Sequence, residues 1–440
     1  MSNKKTVWNK AKEMADKTPE DRNRYVDFLR ALSIGAVVLG HWILAAPSFQ
    51  AGSPQMEHLL DIQPWSRWLT WIFQVMPVFF FVGGFSNGVS WDGAQKKEQA
   101  YAQWLDARFR RLLGPTIPLV VLWTVLGVIG FNLGVHNEMI RIGSQVSLVP
   151  VWFLAIYFCI VMLVPLSRAI WLRYGFISVV VPILLAVLND WLFFNSQLQW
   201  ISWLNYFFIW GAVHQLGYAW QEGRMASGIA TFIFGLFGLI MLILLTQIGP
   251  YPLSLVGVPS QELSNTTPPK LPLIALAMAQ IGFLLSIEKP MKQWLAKGRV
   301  WISTVLINGL IMPLFLWHST IMMLIIGALF WLAPNLLIGE PGSTQWWSLR
   351  PVWVFVYFSV MLVFLPIFLK LEKVTSATQK QATNQAVVLI ACAMTMCFGL
   401  ALLAGGGVTG KGVFGINWLA CLLPVCSIIA LTVFSSIRSE

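Results

Sequence analysis

The sequence predicts an all-α, polytopic membrane protein with about 12 transmembrane spans. Of the 440 residues, 57% are hydrophobic types and only 11% are charged, whereas soluble domains carry about 25% charged residues. The mean hydropathy is +0.70 over the whole chain. Runs of about 20 uncharged apolar residues recur, which is the length of a membrane-spanning helix, and they lack the alternation of barrel strands. These observations exclude a soluble enzyme, a disordered regulator and a disulfide scaffold.

The candidate spans follow one another along the chain, with short polar segments between them. They cover approximately 26–46, 68–91, 112–135, 148–166, 175–194, 200–220, 227–249, 271–287, 301–333, 350–369, 385–404 and 415–436. The ninth is too long for one straight span, and Pro313 is expected to bend it.

The positive charges predict the orientation of the spans. With the N-terminus inside, 23 of the 29 Lys and Arg residues fall in cytoplasmic segments. The outer segments hold only 5, namely Arg67, Arg141, Lys270, Arg350 and Lys411. This positive-inside bias predicts that both termini are cytoplasmic in a cytoplasmic (inner) membrane. It also predicts that 301–333 crosses once, because a second crossing would place the Lys370–Lys380 cluster outside.

Several functional classes are not supported by the sequence. The net charge of +11 resides in short loops between apolar runs, so we expect no nucleic-acid partner. The five cysteines lie inside apolar runs without metal-ligand spacing, so we expect no metal site. A Gly-rich phosphate loop and a Ser-centred hydrolase turn are also missing from the sequence, and we expect no tightly bound cofactor.

The first span carries three ionisable residues, which are costly in a membrane. They are Asp27, Arg30 and His41, in RYVDFLRALSIGAVVLGHW. Arg30 and His41 lie on one helix face, about 16 Å apart along the axis, and Asp27 lies one turn before Arg30. One interpretation is an Asp27–Arg30 ion pair and a His41 that bonds a neighbouring helix. The other is functional, with His41 as a general base for an alcohol and Arg30 as a ligand for phosphate.

Five segments of the chain resemble, in order, the landmarks of the acyltransferase-3 family of integral membrane acyltransferases. The first is the Arg30–His41 helix, whose Arg is followed after ten residues by a His. The others are QVMPVFFFVGGFSNG, ARFRRLLGPTIP, VPVWFLAIY and LFLWHSTIM. The resemblance covers about residues 24–370. It implies a cytoplasmic tail at 1–24, a ten-span acyltransferase-3-like membrane domain at 25–370, and a linker with two additional helices at 371–440.

Other polar or small residues in the spans have two possible roles each. His318 lies at a depth similar to that of His41 and is either a second catalytic imidazole or a packing residue. Asp190 either orients an imidazole or caps the outer end of its helix. Trp152 is an interface aromatic or a binding platform.

The remaining candidates are two arginines that precede the third span on the inside and two glycines near the middle of the membrane. Arg108 and Arg111 either set topology or hold phosphates of coenzyme A. Gly83 and Gly84 either permit close helix packing or clear a channel for an acyl-pantetheine arm.

From these observations and this resemblance we expect the protein to be a membrane O-acyltransferase. An acyl-CoA co-substrate is expected to bind near Arg30, Arg108 and Arg111, while His41 activates a hydroxyl of an envelope sugar, glycolipid or other small acceptor. The expected partners are therefore this donor, the acceptor and membrane lipids. The alternative is a multi-span transporter of a lipid-like or sugar-like molecule, although no internal repeat supports it.

Overall fold

The computed structural model describes residues 7–19, 22–50, 53–196, 198–225, 227–337, 339–376 and 385–436. Its helices up to the middle of the chain are α1 (Val7–Asp16), α2 (Arg24–Leu44), α3 (Leu59–Ile62), α4 (Thr70–Phe73), α5 (Met76–Lys96), α6 (Tyr101–Leu112), α7 (Thr116–Asn132), α8 (Asn137–Met162), α9 (Val164–Tyr174), α10 (Ile177–Asn195) and α11 (Asn205–Gln221). The later ones are α12 (Ile229–Gln247), α13 (Pro272–Ser286), α14 (Glu288–Leu295), α15 (Gly298–Gly309), α16 (Ile311–Leu332), α17 (Thr344–Ser376), α18 (Ala386–Gly406) and α19 (Trp418–Ser436).

The helices have the lengths and compositions of membrane spans. Among the described residues, 8 helices are long and apolar enough to cross a membrane, or up to 10 if two bent pairs each count as one span. The bent pairs are α6 with α7, at 41°, and α13 with α14, at 56°. The all-α, multi-pass class is therefore confirmed. Each of the twelve segments proposed from sequence contains a helix, but the count of twelve and the location of the termini stay predictions.

The long ninth segment is not one continuous helix. α15 ends at Gly309 and α16 begins at Ile311. A proline ring excludes the carbonyl of the residue four positions earlier, and Pro313 therefore removes Gly309 from the helical hydrogen-bond ladder. Within α16 the same proline occupies the first turn, where its missing N–H leaves no bond unmade. The interruption thus lies before Pro313 and is a break in the helix, where the sequence predicts a bend.

A two-stranded β-hairpin follows α2 and was not expected from the sequence. Strand β1 covers Ala45–Gln50 and strand β2 covers Ser53–His58. Each strand carries a proline, Pro47 and Pro54, which a strand tolerates on an unpaired edge. The fold is therefore α-helical apart from this one hairpin among the described residues.

The chain divides into two compact units whose segments alternate along the sequence. The first unit comprises 1–40, 58–89 and 166–311, and the second comprises 41–57, 90–165 and 312–440. In the first, α12 and α13 pack closely through glycines, since a Cβ on Gly282 would lie 2.4 Å from the Gly235 nitrogen. Small residues at such contacts let the helix backbones approach each other.

In the second unit the C-terminal helix α18 packs along α8. Gln145 Nε2 donates to the Gly405 carbonyl at 2.8 Å, and the Val408 amide donates to Ser144 Oγ at 3.0 Å. Gly407, with φ of +65°, ends α18 in a left-handed conformation that suits glycine. The last helices therefore belong to the same packed unit as α8.

Candidate active site

Two histidines from distant parts of the sequence meet in the second unit. His41 lies in the last turn of α2 and His318 lies near the middle of α16. His41 Nδ1 is 2.7 Å from His318 Nε2. The two rings are stacked with centroids 5.0 Å apart and planes 7° apart. The structure thus joins the two imidazoles that the sequence placed at similar depth.

The surroundings of His318 determine which nitrogen carries the proton in each neutral ring. His318 Nδ1 lies 2.7 Å from the Phe315 carbonyl and 3.2 Å from the Leu314 carbonyl. A carbonyl only accepts hydrogen bonds, so Nδ1 carries the proton and Nε2 is an acceptor. His41 Nδ1 then donates to His318 Nε2, and His41 Nε2 is the unprotonated, basic nitrogen.

Burial distinguishes the two histidines. His318 has no exposed surface, whereas His41 is half-buried. A general base must reach the proton that it removes. His41 is consequently the member of the pair that a substrate can contact, and His318 acts behind it.

Neighbouring side chains hold the pair in place. Trp42 Nε1 donates to the His318 carbonyl at 3.1 Å, and Ser319 Oγ lies 3.1 Å from His318 Nε2 as a second donor. On the next residue of α16, Thr320 Oγ1 accepts a hydrogen bond from Trp123 Nε1 at 3.1 Å. Because Trp42 and Ser319 are at most 2% exposed, these bonds are made away from bulk water, where they are stronger.

In the first unit, the carboxylate of Asp27 is bonded more closely by Arg22 than by Arg30. Arg22 donates to the Asp27 carboxylate through Nε at 2.6 Å and Nη2 at 3.0 Å. Arg30 Nη1 lies 3.9 Å from the same carboxylate, and the Arg30 side chain is 34% exposed. Asn308 Nδ2 donates to the Asp27 carbonyl at 2.9 Å. Asp27 is thus held mainly by Arg22, a partner that the sequence pattern does not indicate.

The arginines of α6 have different environments. Arg108 stacks on the Trp104 ring at 3.7 Å, donates to the Trp104 carbonyl at 2.9 Å and bonds Ser90 Oγ. Arg110 is buried and paired with Asp106 at 3.1 Å. Arg111 is exposed. Of the two candidates on this helix, Arg111 is therefore accessible and Arg108 is held by protein contacts.

The hydrogen-bond partners of Asp190 among the described residues include no imidazole. Its carboxylate accepts hydrogen bonds from Asn205 Nδ2, the Tyr251 hydroxyl and the Leu271 amide, each at 2.9 Å. Leu271 is the residue that precedes α13, so Asp190 satisfies a free amide at the start of that helix. Asp190 thereby fastens the segment after α12 to the end of α10, which favours the structural interpretation over a role in orienting an imidazole.

Gly84 serves close packing between α5 and α11. A Cβ on Gly84 would lie 1.8 Å from the His214 carbonyl oxygen and 3.1 Å from Gly217 Cα. The adjacent Gly83 is also buried. Backbone of α11 occupies the space beside Gly84, and this favours the packing interpretation over an acyl channel at that residue. Trp152 is half-buried on α8.

Arg350 is the nearby residue that sequence reasoning missed as a site candidate. Its Nη2 donates to the Ala45 carbonyl at 2.7 Å and its Nη1 lies 3.5 Å from the Trp42 carbonyl. The residue is 5% exposed. The signal in the sequence is an arginine directly before an apolar run, which the positive-inside argument treats only as a loop charge.

The arrangement is suited to proton transfer by an imidazole. Among the residues that the structure describes, no group of three or more His, Cys, Asp or Glu side chains could hold a metal ion. The basic nitrogen of a half-buried His41, fixed by a buried His318, can accept a proton from an alcohol in a partly dry environment.

Comparison with known proteins gives one match. The family model described as an acyltransferase domain, acyltransferase-3, matches residues 23–370. No curated protein and no solved structure matches the chain significantly. The matched region includes Arg30, His41 and His318 and extends over most of the chain. The protein accordingly belongs to the acyltransferase-3 family and is a membrane acyltransferase.

Proposed function

We propose that this acyltransferase moves an acyl group from an acyl-CoA-type donor to a hydroxyl of an envelope sugar, glycolipid or other small acceptor in the cytoplasmic membrane. The observation that carries the proposal is the 2.7 Å contact between His41 Nδ1 and His318 Nε2. This contact leaves Nε2 of His41 as the basic nitrogen. The accessible His41 can then act as the base, while the buried His318 holds it in position.

In the proposed reaction, His41 Nε2 accepts the proton of the acceptor hydroxyl while the hydroxyl oxygen attacks the thioester carbonyl carbon. The new C–O bond forms and the C–S bond breaks. The proton on His41 then passes to the departing CoA sulfur, so that the products are an ester and CoA thiol. No acyl-enzyme is required, because the base acts directly on the acceptor.

His318 is proposed as a positioning residue. Its Nε2 accepts the Nδ1 proton of His41, which fixes the tautomer and stabilises the imidazolium that forms during the reaction. The carbonyls of Phe315 and Leu314 hold the His318 proton on the opposite nitrogen. This chain of bonds resembles the orienting role of a carboxylate behind a catalytic histidine.

Cations are proposed to hold the phosphates of the donor. Arg30 lies about 16 Å along α2 from His41, and its side chain is 34% exposed. Arg111 on α6 is a second accessible guanidinium. A guanidinium matches phosphate with a fixed fork of N–H donors. Arg108, Gly83 and Trp152 stay predictions for donor or auxiliary contacts.

The proposal is tested with purified protein, acetyl-CoA and histidine variants. His41→Ala is expected to lower acetyl-CoA turnover about 10²–10⁴-fold, the usual loss for a positioned base. His318→Ala is expected to lower it less, and the double variant no more than His41→Ala alone, because residues that act as a unit are not additive.

His136→Ala is the matched control, since His136 is exposed and its side chain accepts a hydrogen bond from the nearby Glu138 amide. Full turnover by a correctly folded His41→Ala protein would remove His41 from the mechanism. Additive losses in the double variant would show that the two histidines act independently.

A further inference from the structure

Three buried arginine or lysine side chains have a nitrogen without a hydrogen-bond partner among the described residues. They are Arg110, Lys270 and Arg350. Arg110 is paired with Asp106. Lys270 Nζ lies 3.4 Å from the centre of the Phe193 ring and interacts with the charge of Asp190. Within the described part of the chain neither Lys270 nor Arg350 has a carboxylate in ion-pair range, and only Arg350 also lacks a carboxylate that acts on it at longer distance.

The contacts of Arg350 balance only part of its charge. Nη2 and Nη1 face the Ala45 and Trp42 carbonyls at the end of α2, and the guanidinium stacks on Trp346 at 3.5 Å. A helix C-terminus carries about half a negative charge, which is less than the full charge of Arg350. Buried charges are normally paired. The Nε–H of Arg350 donates to neither of these carbonyls and has no hydrogen-bond partner among the described residues.

A second unpartnered donor lies on the same face of α17. Tyr357 is seven residues after Arg350, two helical turns away at nearly the same angle. Its hydroxyl is buried without a hydrogen-bond partner among the described residues. The Tyr357 ring contacts Trp42 with centroids 5.7 Å apart. Arg350 and Tyr357 therefore both lie against the residue that follows His41.

We propose that Arg350 and Tyr357 bind an anionic group, a carboxylate or a phosphate, of the acyl acceptor. Two buried donors, one of them charged, are suited to an anion and leave no donor unsatisfied once it binds. The proposal rests on the proposed function, because it places the anion on the substrate whose hydroxyl is activated by His41.

The position along α2 assigns the anion to the acceptor. Arg350 contacts Ala45, which lies four residues, or about 6 Å, beyond His41. Arg30, the proposed phosphate ligand for the donor, lies eleven residues before His41. The preferred acceptor accordingly carries its negative charge about one helical turn from the acylated hydroxyl.

Binding of small anions to the purified full-length protein tests the proposal. The probes are glucuronate and glucose 6-phosphate, with glucose as the uncharged control, and affinity is measured by calorimetry. Wild-type protein is expected to bind one of the anions in preference to glucose, and the two probes distinguish a carboxylate from a phosphate. If neither anion binds better than glucose, the proposal is overturned.

Variants separate anion binding from a structural role. Arg350→Gln is expected to weaken anion binding about tenfold or more, and Tyr357→Phe by a smaller factor, with glucose binding unchanged. Arg141→Gln and Tyr206→Phe are controls, since Arg141 is exposed and paired with Glu138 and the Tyr206 hydroxyl donates to the Thr266 carbonyl. If Arg350 only caps α2, Arg350→Gln lowers the melting temperature while the preference for the anion persists, and this result would overturn the proposal.

Two further readouts keep the test decisive. Tyr357→Phe removes one hydroxyl and keeps the ring, so it remains informative if Arg350→Gln does not fold; unchanged anion binding in Tyr357→Phe would remove Tyr357 from the site. The binding assay needs no turnover. Anion binding that depends on Arg350 in a wild-type protein inactive toward acetyl-CoA would contradict the proposed reaction and leave the anion site standing.

Discussion

His41 and His318 are separated by 277 positions in the chain and by 2.7 Å in space. What makes them a unit is the backbone of α16, because the Phe315 carbonyl fixes the proton of His318 and so the direction of the bond from His41. At the scale of single residues, the chemistry therefore depends on which nitrogen faces which partner. If either histidine had a different hydrogen-bond partner, the proton could lie on the other ring nitrogen.

The arginines near Asp27 give a prediction at the same scale. Arg30→Ala is expected to weaken CoA binding, whereas Asp27→Asn and Arg22→Ala are expected to leave it nearly unchanged, because Asp27 is held mainly by Arg22. Arg30→Lys should give an intermediate loss, since an ammonium lacks the fork of a guanidinium. CoA affinity of the four purified variants is the measurement. Equal losses in Asp27→Asn and Arg30→Ala would mean that the pair is structural.

At the scale of elements, the contact between α5 and α11 depends on glycine. Gly84→Ala is expected to destabilise the protein by about 1–3 kcal/mol, because the added methyl group meets the His214 carbonyl and the helices must separate. Gly93→Ala on the same helix is the control: a Cβ there meets nothing within 4 Å, and alanine is the better helix former. Thermal unfolding in detergent compares the two, and equal melting temperatures would contradict close packing at Gly84.

The start of α3 gives a pH-dependent prediction. His58 Nδ1 accepts a hydrogen bond from the Leu60 amide, and burial lowers the pKa of His58 below its usual 6.5. The neutral form is favoured in the fold, so its stabilising effect is present above pH 6.5 and is lost as the pH falls toward the lowered pKa. The protection factors of the Leu59–Ile62 amides, which correct for the slower intrinsic exchange at acidic pH, should fall as the pH is lowered. His58→Asn, which caps without titrating, should abolish this dependence; an unchanged dependence in that variant would contradict it.

For the whole molecule, the family match and the packing units do not coincide. The match ends at residue 370, whereas the second unit continues to the C-terminus and includes α18 and α19. The contacts of Gln145 and Ser144 with the end of α18 show how these helices join α8. The region after the matched domain is therefore part of the fold that holds His41 and His318.

The orientation in the membrane is the prediction at this scale. Both termini are expected to be cytoplasmic because Lys and Arg are concentrated in the segments on that side. A cysteine replacing Ser376 in a protein without its native cysteines should be labelled by an impermeant reagent only after the membrane is opened. One replacing Lys411 should be labelled from outside. The reverse labelling pattern would contradict the proposed topology.

The sequence by itself determined the membrane class, the helices and the Arg30–His41 helix, because apolar runs and the spacing of polar residues along one helix are local properties. It also identified the family to which the chain belongs. Only the tertiary structure decided the partners of the polar residues: His318 for His41, Arg22 for Asp27, and Asn205 with Tyr251 for Asp190. Such contacts join positions far apart in the chain, and they depend on how helices pack, which the pattern within each helix does not specify.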